Sequence, residues 1–402
     1  MSNRTIQNIF QAYSNDLSRT PQPLKNRKAI YAIQHCRTRE MGVSYYSCRA
    51  QHNRVEQYHS CRNRSCFICA NKSRKDWIDS QTYRLFNTPH FHVVFTLPHE
   101  YLDLWRYNDA LMIKLIFKAS QETLFELMLS EKHQGVTPGV LMALHTWGRQ
   151  LSLHPHVHCL VTAGGLKRTG EWKEIDGYLL PGKVMKSLYR GKFQSYLKEA
   201  FDENRLIIPP DKTKSWFWDI YRQSYQKSWN VRVEERYEHG KGVMLYLARY
   251  IKGGPVNPSQ INSCTREGIG FKYLDHRTKR KKQLVVSPKE FLTRLLSHVP
   301  PIGVHTIRYY GLYASSARRK REQCQKELGS LSGVKVPASM QKTDMLLSCH
   351  TCGERLQLTY RLWRAVQKGI SINKGDRGSG SVQQDDDTDI SNSLQTKPPD
   401  TS

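Results

Sequence analysis

His154-Pro155-His156-Val157-His158 stands immediately before the apolar run Cys159-Leu160-Val161 and the small-residue stop Thr162-Ala163-Gly164-Gly165. Pro155 steers the residue before it away from helical dihedrals. Val157 and the run behind it have the composition of a buried strand closed by a turn. Alternate side chains of a strand share a face and sit about 7 Å apart at the backbone, so His156 and His158 project together. Imidazoles leaning inward from that spacing can meet at one ion with bonds of about 2.1 Å. Taken alone, such a triplet is more often a packed structural pair, and other parts of the chain have to decide.

Two further apolar runs, Phe91 to Phe95 and Val140 to Leu144, read as strands of the same sheet. Tyr107 to Leu129 and Gly182 to Phe201 carry apolar residues at helical spacing, the second behind a Pro-Gly start. A helix over Tyr221 to Trp229, a strand over Val231 to Glu235 and a helix over Gly242 to Ile251 follow, the last stopped by Gly253-Gly254-Pro255. Gly268 to Leu274 and Gln283 to Ser287 read as hairpin strands joined by the basic turn His276 to Lys282. The fold class is therefore mixed α/β (α+β), a central sheet with flanking helices. Residues 371–402 are rich in Gly, Ser, Gln and Asp with few large apolar residues, the composition of a disordered tail.

Charge narrows the partner. The 402 residues hold 62 Lys and Arg against 35 Asp and Glu, a formal net charge of +27, which points to nucleic acid as the polyanion. No run of roughly 18 apolar residues and no signal-peptide pattern occurs, so a soluble cytoplasmic protein without a membrane partner is expected. In such a reducing compartment the ten cysteines are metal ligands sooner than disulfides. Cys61-Arg62-Asn63-Arg64-Ser65-Cys66-Phe67-Ile68-Cys69 has a CxxC knuckle behind another cysteine, and Cys48 precedes it. Cys48, Cys61, Cys66 and Cys69 suffice for one tetrahedral zinc ion, while Cys36, His35, His52 and His59 could substitute or build a second site. Cys349-His350-Thr351-Cys352 is half of a further zinc site, to which Cys324 could contribute.

The expected helix from Gly242 carries Tyr246 and Tyr250 four apart, so both phenols leave one face. An aromatic pair at that spacing is commonly core. Beside a histidine-held metal, however, a phenol is a competent nucleophile for a phosphodiester.

Together these residues resemble the HUH tyrosine transposases of rolling-circle insertion sequences, in their two-tyrosine branch. The matching stretches keep the family order from about residue 30 to about residue 320: Cys61 to Cys66, Phe91 to Pro98, Leu144 to Gly148, His154 to His158, Gly164-Gly165, Tyr189 to Phe193, Tyr246 to Tyr250, and Ile307 to Leu312. The resemblance implies an antiparallel HUH-nuclease sheet and His156 and His158 as ligands of a catalytic magnesium or manganese ion. It makes Tyr250 the nucleophile and Tyr246 the second tyrosine. The third metal ligand stays open among His154, His92 and His145. The implied chemistry is cleavage of single-stranded DNA at element ends through a 5′-phosphotyrosine, without ATP. The chain departs from the family pattern at Cys48-Arg49-Ala50-Gln51, where a CxxC is usual and Gln51 replaces a ligand; His52 is placed to compensate.

The expected organisation is a zinc-binding DNA-recognition module over 1–80, the catalytic domain over 81–315, a basic extension with CxxC over 316–370 and the tail over 371–402. Arg62, Arg64, Arg277, Lys279, Arg280 and Lys281 are the expected phosphate contacts. A bacterial, nucleoid-associated enzyme follows. Two rivals remain: a plasmid replication initiator or relaxase with the same chemistry, and a zinc-dependent DNA-binding regulator with an inactive centre.

Overall fold

The computed structural model describes residues 5–17, 21–70, 77, 80–81, 83–238, 254–275, 278–329 and 348–363. The helix expected at Gly242–Ile251, with Tyr246 and Tyr250, lies outside them, as do Arg277 and the tail from 364. In chain order the described elements begin with helices α1 (Thr5–Tyr13) and α2 (Leu24–His35) and strands β1 (Gly42–Ser47), β2 (Arg54–Tyr58) and β3 (His90–Thr96). Helix α3 (Leu102–Leu129) leads to β4 (Gly139–Trp147), β5 (Leu153–Thr162), β6 (Gly164–Leu166) and β7 (Trp172–Glu174). Helices α4 (Gly182–Asp202) and α5 (Lys214–Gln226) precede β8 (Val231–Tyr237), β9 (Ile261–Cys264), β10 (Ile269–Leu274) and β11 (Lys281–Val286). Then come α6 (Pro288–Ser297), β12 (Ile307–Gly311), α7 (Arg318–Leu328) and β13 (Gln357–Trp363). All of these lie in one compact unit.

The main sheet is antiparallel throughout, in the order β12-β4-β5-β3-β8, with β5 at its centre. Residues directly opposite one another on antiparallel strands share a face. One face therefore carries Phe91, Val93, Phe95, Val140, Met142, Leu144, Val157, Cys159 and Val161, and these form the largest buried core with α3 and α4. The opposite face carries His156, His158 and Leu160 of β5, opposite Thr96, Val94 and His92 of β3 and His145, Ala143 and Leu141 of β4. Strand β5 is paired on both sides and almost wholly buried, which is why its run reads as nearly continuous apolar sequence.

Pro155 lies inside β5. Its accommodation is a β-bulge: Trp147 pairs with Leu153 and His145 with His156, so β5 has one more residue than β4 across this interval. A proline at a bulge interrupts no ladder bond, and its carbonyl still accepts from the Leu97 N–H at 3.0 Å.

The long helix α3 bends at Asn108, whose dihedrals leave the helical region. The Asn108 amide donates to the Leu104 and Ile207 carbonyls and its oxygen accepts from the Ile207 N–H, a side chain inserted into the ladder. Helix α5 begins seven residues before the expected Tyr221, because Thr213 caps it by accepting from the Trp216 N–H. Strand β11 begins at Lys281, so Lys281 and Lys282 belong to the hairpin strand and not to its turn.

The N-terminal helices bury Ile6, Ile9, Phe10 and Ile33 against Phe271, Phe291, Leu292 and Leu295 of β10 and α6. At the other end, β13 pairs with β1 and β1 with β2, making a small separate sheet from residues that are distant in sequence.

Gly164 and Gly165 close the central strand because β6 has no room for side chains. A Cβ on Gly165 would lie 2.5 Å from the Thr137 carbonyl oxygen, and one on Gly164 2.8 Å from that of Lys173. Both obstacles are backbone atoms. Gly165→Ala is accordingly expected to lower the unfolding free energy by about 1–3 kcal/mol, read from the urea midpoint; an unchanged midpoint would mean that the Thr137 backbone yields freely.

Candidate metal and DNA site

The histidines converge on the face of the sheet opposite the largest core, where His145 and His158 are buried. One nitrogen from each of His145, His156 and His158 falls within 4.8 Å of the others. The pleat explains this: His156 and His158 are two apart on β5, and His145 lies directly across from His156 on β4. The third position among His154, His92 and His145 is thus taken by His145. His154 is not part of the set, although its ring lies beside that of His156 with centroids 5.1 Å apart and beside that of His99 at 5.5 Å.

His154 acts through its backbone. The His156 Nδ1–H donates to the His154 carbonyl at 2.6 Å, which fixes the ring and leaves Nε2 as the atom with a lone pair. His92 Nε2 lies 2.9 Å from His158 Nδ1, so the remaining candidate supports a ligand instead of joining the group. Behind the set, His145 stacks on Trp147 with ring centroids 4.4 Å apart.

Burial keeps these imidazoles neutral. It lowers His156 to about 4, opposed in part by the bond to the His154 carbonyl. His92 is likewise lowered to about 4, by burial and then by the neighbouring His156. Burial and the other histidines depress His158 and His145 still further. Neutral imidazoles offer lone pairs at physiological pH, so this donor set suits a divalent ion without fixing which one.

The cysteines form two groups among the described residues. Cys36, Cys61, Cys66 and Cys69 converge in one, with Cys36 Sγ 3.5 Å and Cys61 Sγ 3.6 Å from Cys69 Sγ. Cys48 is not in it: the expected fourth ligand is replaced by Cys36, which ends α2 and is carried back toward the knuckle by a left-handed Arg37 (φ 57°). The knuckle turns on Asn63, whose side chain accepts from the Ser65 N–H and whose carbonyl accepts from the Cys66 N–H. Hydrogen bonds among the thiols pull their acidities apart, lowering Cys36 to about 7 through Cys61 and Cys66 and lowering Cys69 further, while Cys61 and Cys66 rise. Four sulfurs converging in this way suit tetrahedral zinc. His35 and His59 stay outside: His35 packs on Tyr31 and His59 bonds Ser44. Cys324 is buried in an apolar cluster with Tyr313 and Leu85.

The expected phosphate contacts divide. Arg64 is occupied, donating to the Val304 and Pro301 carbonyls at 2.7 and 2.8 Å. Arg62 borders a cleft of about 660 Å³, with Arg37, Phe67, Trp105, Trp147 and His298 among its lining. Lys279, Arg280 and Lys281 stand exposed at the tip of the β10–β11 hairpin.

Comparison with known proteins places these features in context. The sequence pattern described as "Transposase zinc-binding domain" matches residues 5–97, and that described as "Putative transposase" matches residues 139–321. "Putative transposase y4qJ" of Sinorhizobium fredii is 32% identical over 342 residues, covering 83% of this chain and 85% of that protein. "Transposase for insertion sequence element IS801" of Pseudomonas savastanoi pv. phaseolicola is 31% identical over 324 residues, covering 74% and 77%. A solved N-terminal origin-recognition/nickase domain of a human bocavirus non-structural protein covers 61% of this chain and 98% of its own at 12% identity. Its TM-score of 0.24 is too low to bear on the fold.

The depressed histidines make stability depend on pH with a definite sign. Below about 6.5 the unfolded chain takes up protons that His92 and His156, held near 4, still refuse. The metal-free protein should therefore lose stability as pH falls from about 6.5 to about 4, by up to roughly 1.4 kcal/mol per pH unit for each such group. Urea midpoints across this range measure it, and His156→Gln should flatten the slope; equal slopes in the two proteins would contradict the burial of this ring.

Proposed function

The chain belongs to a family of insertion-sequence transposases, and on that premise we propose that it cuts and rejoins single-stranded DNA through a covalent link to a tyrosine. The observation that carries this reading is the convergence of His145, His156 and His158 on one face of an otherwise apolar sheet. A magnesium or manganese ion held by these three would polarise the scissile phosphate and stabilise the charge that develops on it. The chain's own residues do the rest: His92 and the His154 carbonyl orient the ligating rings, and the dry layer of Val157, Phe95 and Leu144 beneath them keeps the strands from shifting.

Tyr250 supplies the nucleophile in this reading. Its phenolic oxygen attacks phosphorus, the bond to the 3′ oxygen breaks, and that oxygen leaves with a proton as a free 3′-hydroxyl. The 5′ phosphate stays on the tyrosine as a diester, so the bond energy is retained and reversal needs no ATP. Tyr246 offers a second phenol for a second strand. Single-stranded substrate fits the exposed hairpin tip of Lys279, Arg280 and Lys281 and the cleft with Arg62, Phe67 and Trp147, where cations meet phosphate and rings can stack on bases. The thiol group of Cys36, Cys61, Cys66 and Cys69 would hold the structural zinc of the recognition module, and the site of action would be the bacterial nucleoid.

Incubation with magnesium or manganese and a single-stranded oligonucleotide carrying an element end tests the reading. A covalent adduct at the new 5′ end is expected, lost in Tyr250→Phe and reduced at least 100-fold in His145→Ala and His156→Ala. DNA affinity should change little in the histidine variants, because phosphate contacts elsewhere supply it. An adduct mapping to neither tyrosine, or full cleavage by the double Phe variant, would sink the mechanism. Separately, Lys279, Arg280 and Lys281 changed together to Glu should weaken binding and shallow its salt dependence by about 0.7 per lost phosphate contact; an unaltered slope would clear the hairpin tip of that role.

A further inference from the structure

We infer that the chain holds a second structural zinc ion, bound by Cys48 and His52 from near its start and by Cys349 and Cys352 from near its end. The four donor atoms lie within 4.8 Å of one another. Cys48 Sγ stands 3.4 Å from Cys352 Sγ, and His52 Nδ1 stands 3.8 Å from both Cys48 Sγ and Cys349 Sγ. In a tetrahedron with metal–sulfur bonds of about 2.3 Å and metal–nitrogen bonds of about 2.0 Å, donors are separated by about 3.5–3.8 Å. The observed 3.4 and 3.8 Å lie close to that range.

Each half of the site is a built turn. In the first, the Cys48 N–H donates to the Asn53 carbonyl and the Gln51 N–H to the Cys48 carbonyl. Gln51 is left-handed (φ 59°), and the reversal brings His52 back beside Cys48. The absence of a cysteine at Gln51 is thereby answered one residue later, with an imidazole in place of a thiolate. In the second half, the Cys349 N–H donates to the Glu354 carbonyl, the Gly353 N–H to the Cys349 carbonyl and the Thr351 N–H to Cys349 Sγ at 3.4 Å. Gly353 is also left-handed (φ 72°). A backbone amide aimed at sulfur stabilises the thiolate, the form a metal takes.

Burial cannot account for the order of this region. The sheet of β2, β1 and β13 rests on a cluster in which only Cys48, Cys349 and Leu356 are fully buried, with Tyr46 and Val55 beside it. Strands β2 and β13 are exposed along nearly their whole length. With Val43 of β1, these buried side chains supply a few kcal/mol, too little to order about twenty residues of strand against their conformational entropy. A metal that links the two turns supplies what the apolar core does not. The ion is thus a clasp, tying the β1–β2 hairpin to β13.

Cobalt(II) substitution in the full chain distinguishes this site from the others. The histidine group contributes no thiolate, and the Cys36 group contributes four. The thiolate-to-cobalt charge-transfer intensity should correspond to seven Co–S bonds in the natural protein, and to four in Cys48→Ser, in Cys349→Ser and in their combination. Cys61→Ser should disturb only the other centre, so loss of that centre and loss of the clasp are separable. Cys352→His keeps a donor and should retain both ions. In hydrogen exchange, Cys349→Ser should raise the rates of β1, β2 and β13 amides at least tenfold while those of β4 and β5 stay unchanged. Four Co–S bonds in the natural protein would overturn the proposal, which needs no variant to fold; unchanged exchange in a soluble Cys349→Ser would overturn the clasp.

Discussion

The alternation of side chains along β5 is the constraint on which the molecule turns. A central strand paired on both sides has no freedom to slip, because a shift of one residue would exchange its two faces. Here the exchange would drive histidines into the layer shared by Phe95, Leu144 and α3 and would put Val157 and Cys159 where an ion is to be held. Burial of one face thus enforces the chemistry of the other. The bulge at Pro155 marks where the paired register changes, and there His154 holds the His156 ring through its carbonyl while its own ring lies alongside.

The amino-terminal part of the chain obeys a different economy. Its helices α1 and α2 share a core with β10 and α6, while two groups of soft ligands gather where that core does not reach. The first group binds a turn to the end of α2. The second joins segments almost three hundred residues apart, so what looks in the sequence like an accessory half-site completes a unit begun near the start.

Most of the histidine-bearing sheet is legible in the sequence. Phe91–Phe95, Val140–Leu144 and Val157–Val161 are short apolar runs with clear stops, and each lies within an observed strand. His156 and His158 were readable because period two is a local property. His145 was one name among three, because cross-strand register depends on a bulge that no spacing announces. The grouping of the cysteines is hidden for a related reason: Cys48 is nearer in sequence to Cys61 than Cys36 is, yet β1 carries it to the opposite end of a strand, against residues whose proximity exists only once β13 has paired. Helices α1 and α2 are short, and the partners that bury their apolar residues lie far along the chain on β10 and α6.

The pairing of β1 with β13 also has a temporal side. During synthesis at about 5–20 residues per second, the hairpin of β1 and β2 leaves the ribosome some 15–60 s before its third strand exists. For that interval Cys48 and His52 can hold an ion only incompletely, and the exposed edge of β1 has no mate. The small sheet is therefore the last part of the described fold that can be completed, well after the strands of the main sheet have been made.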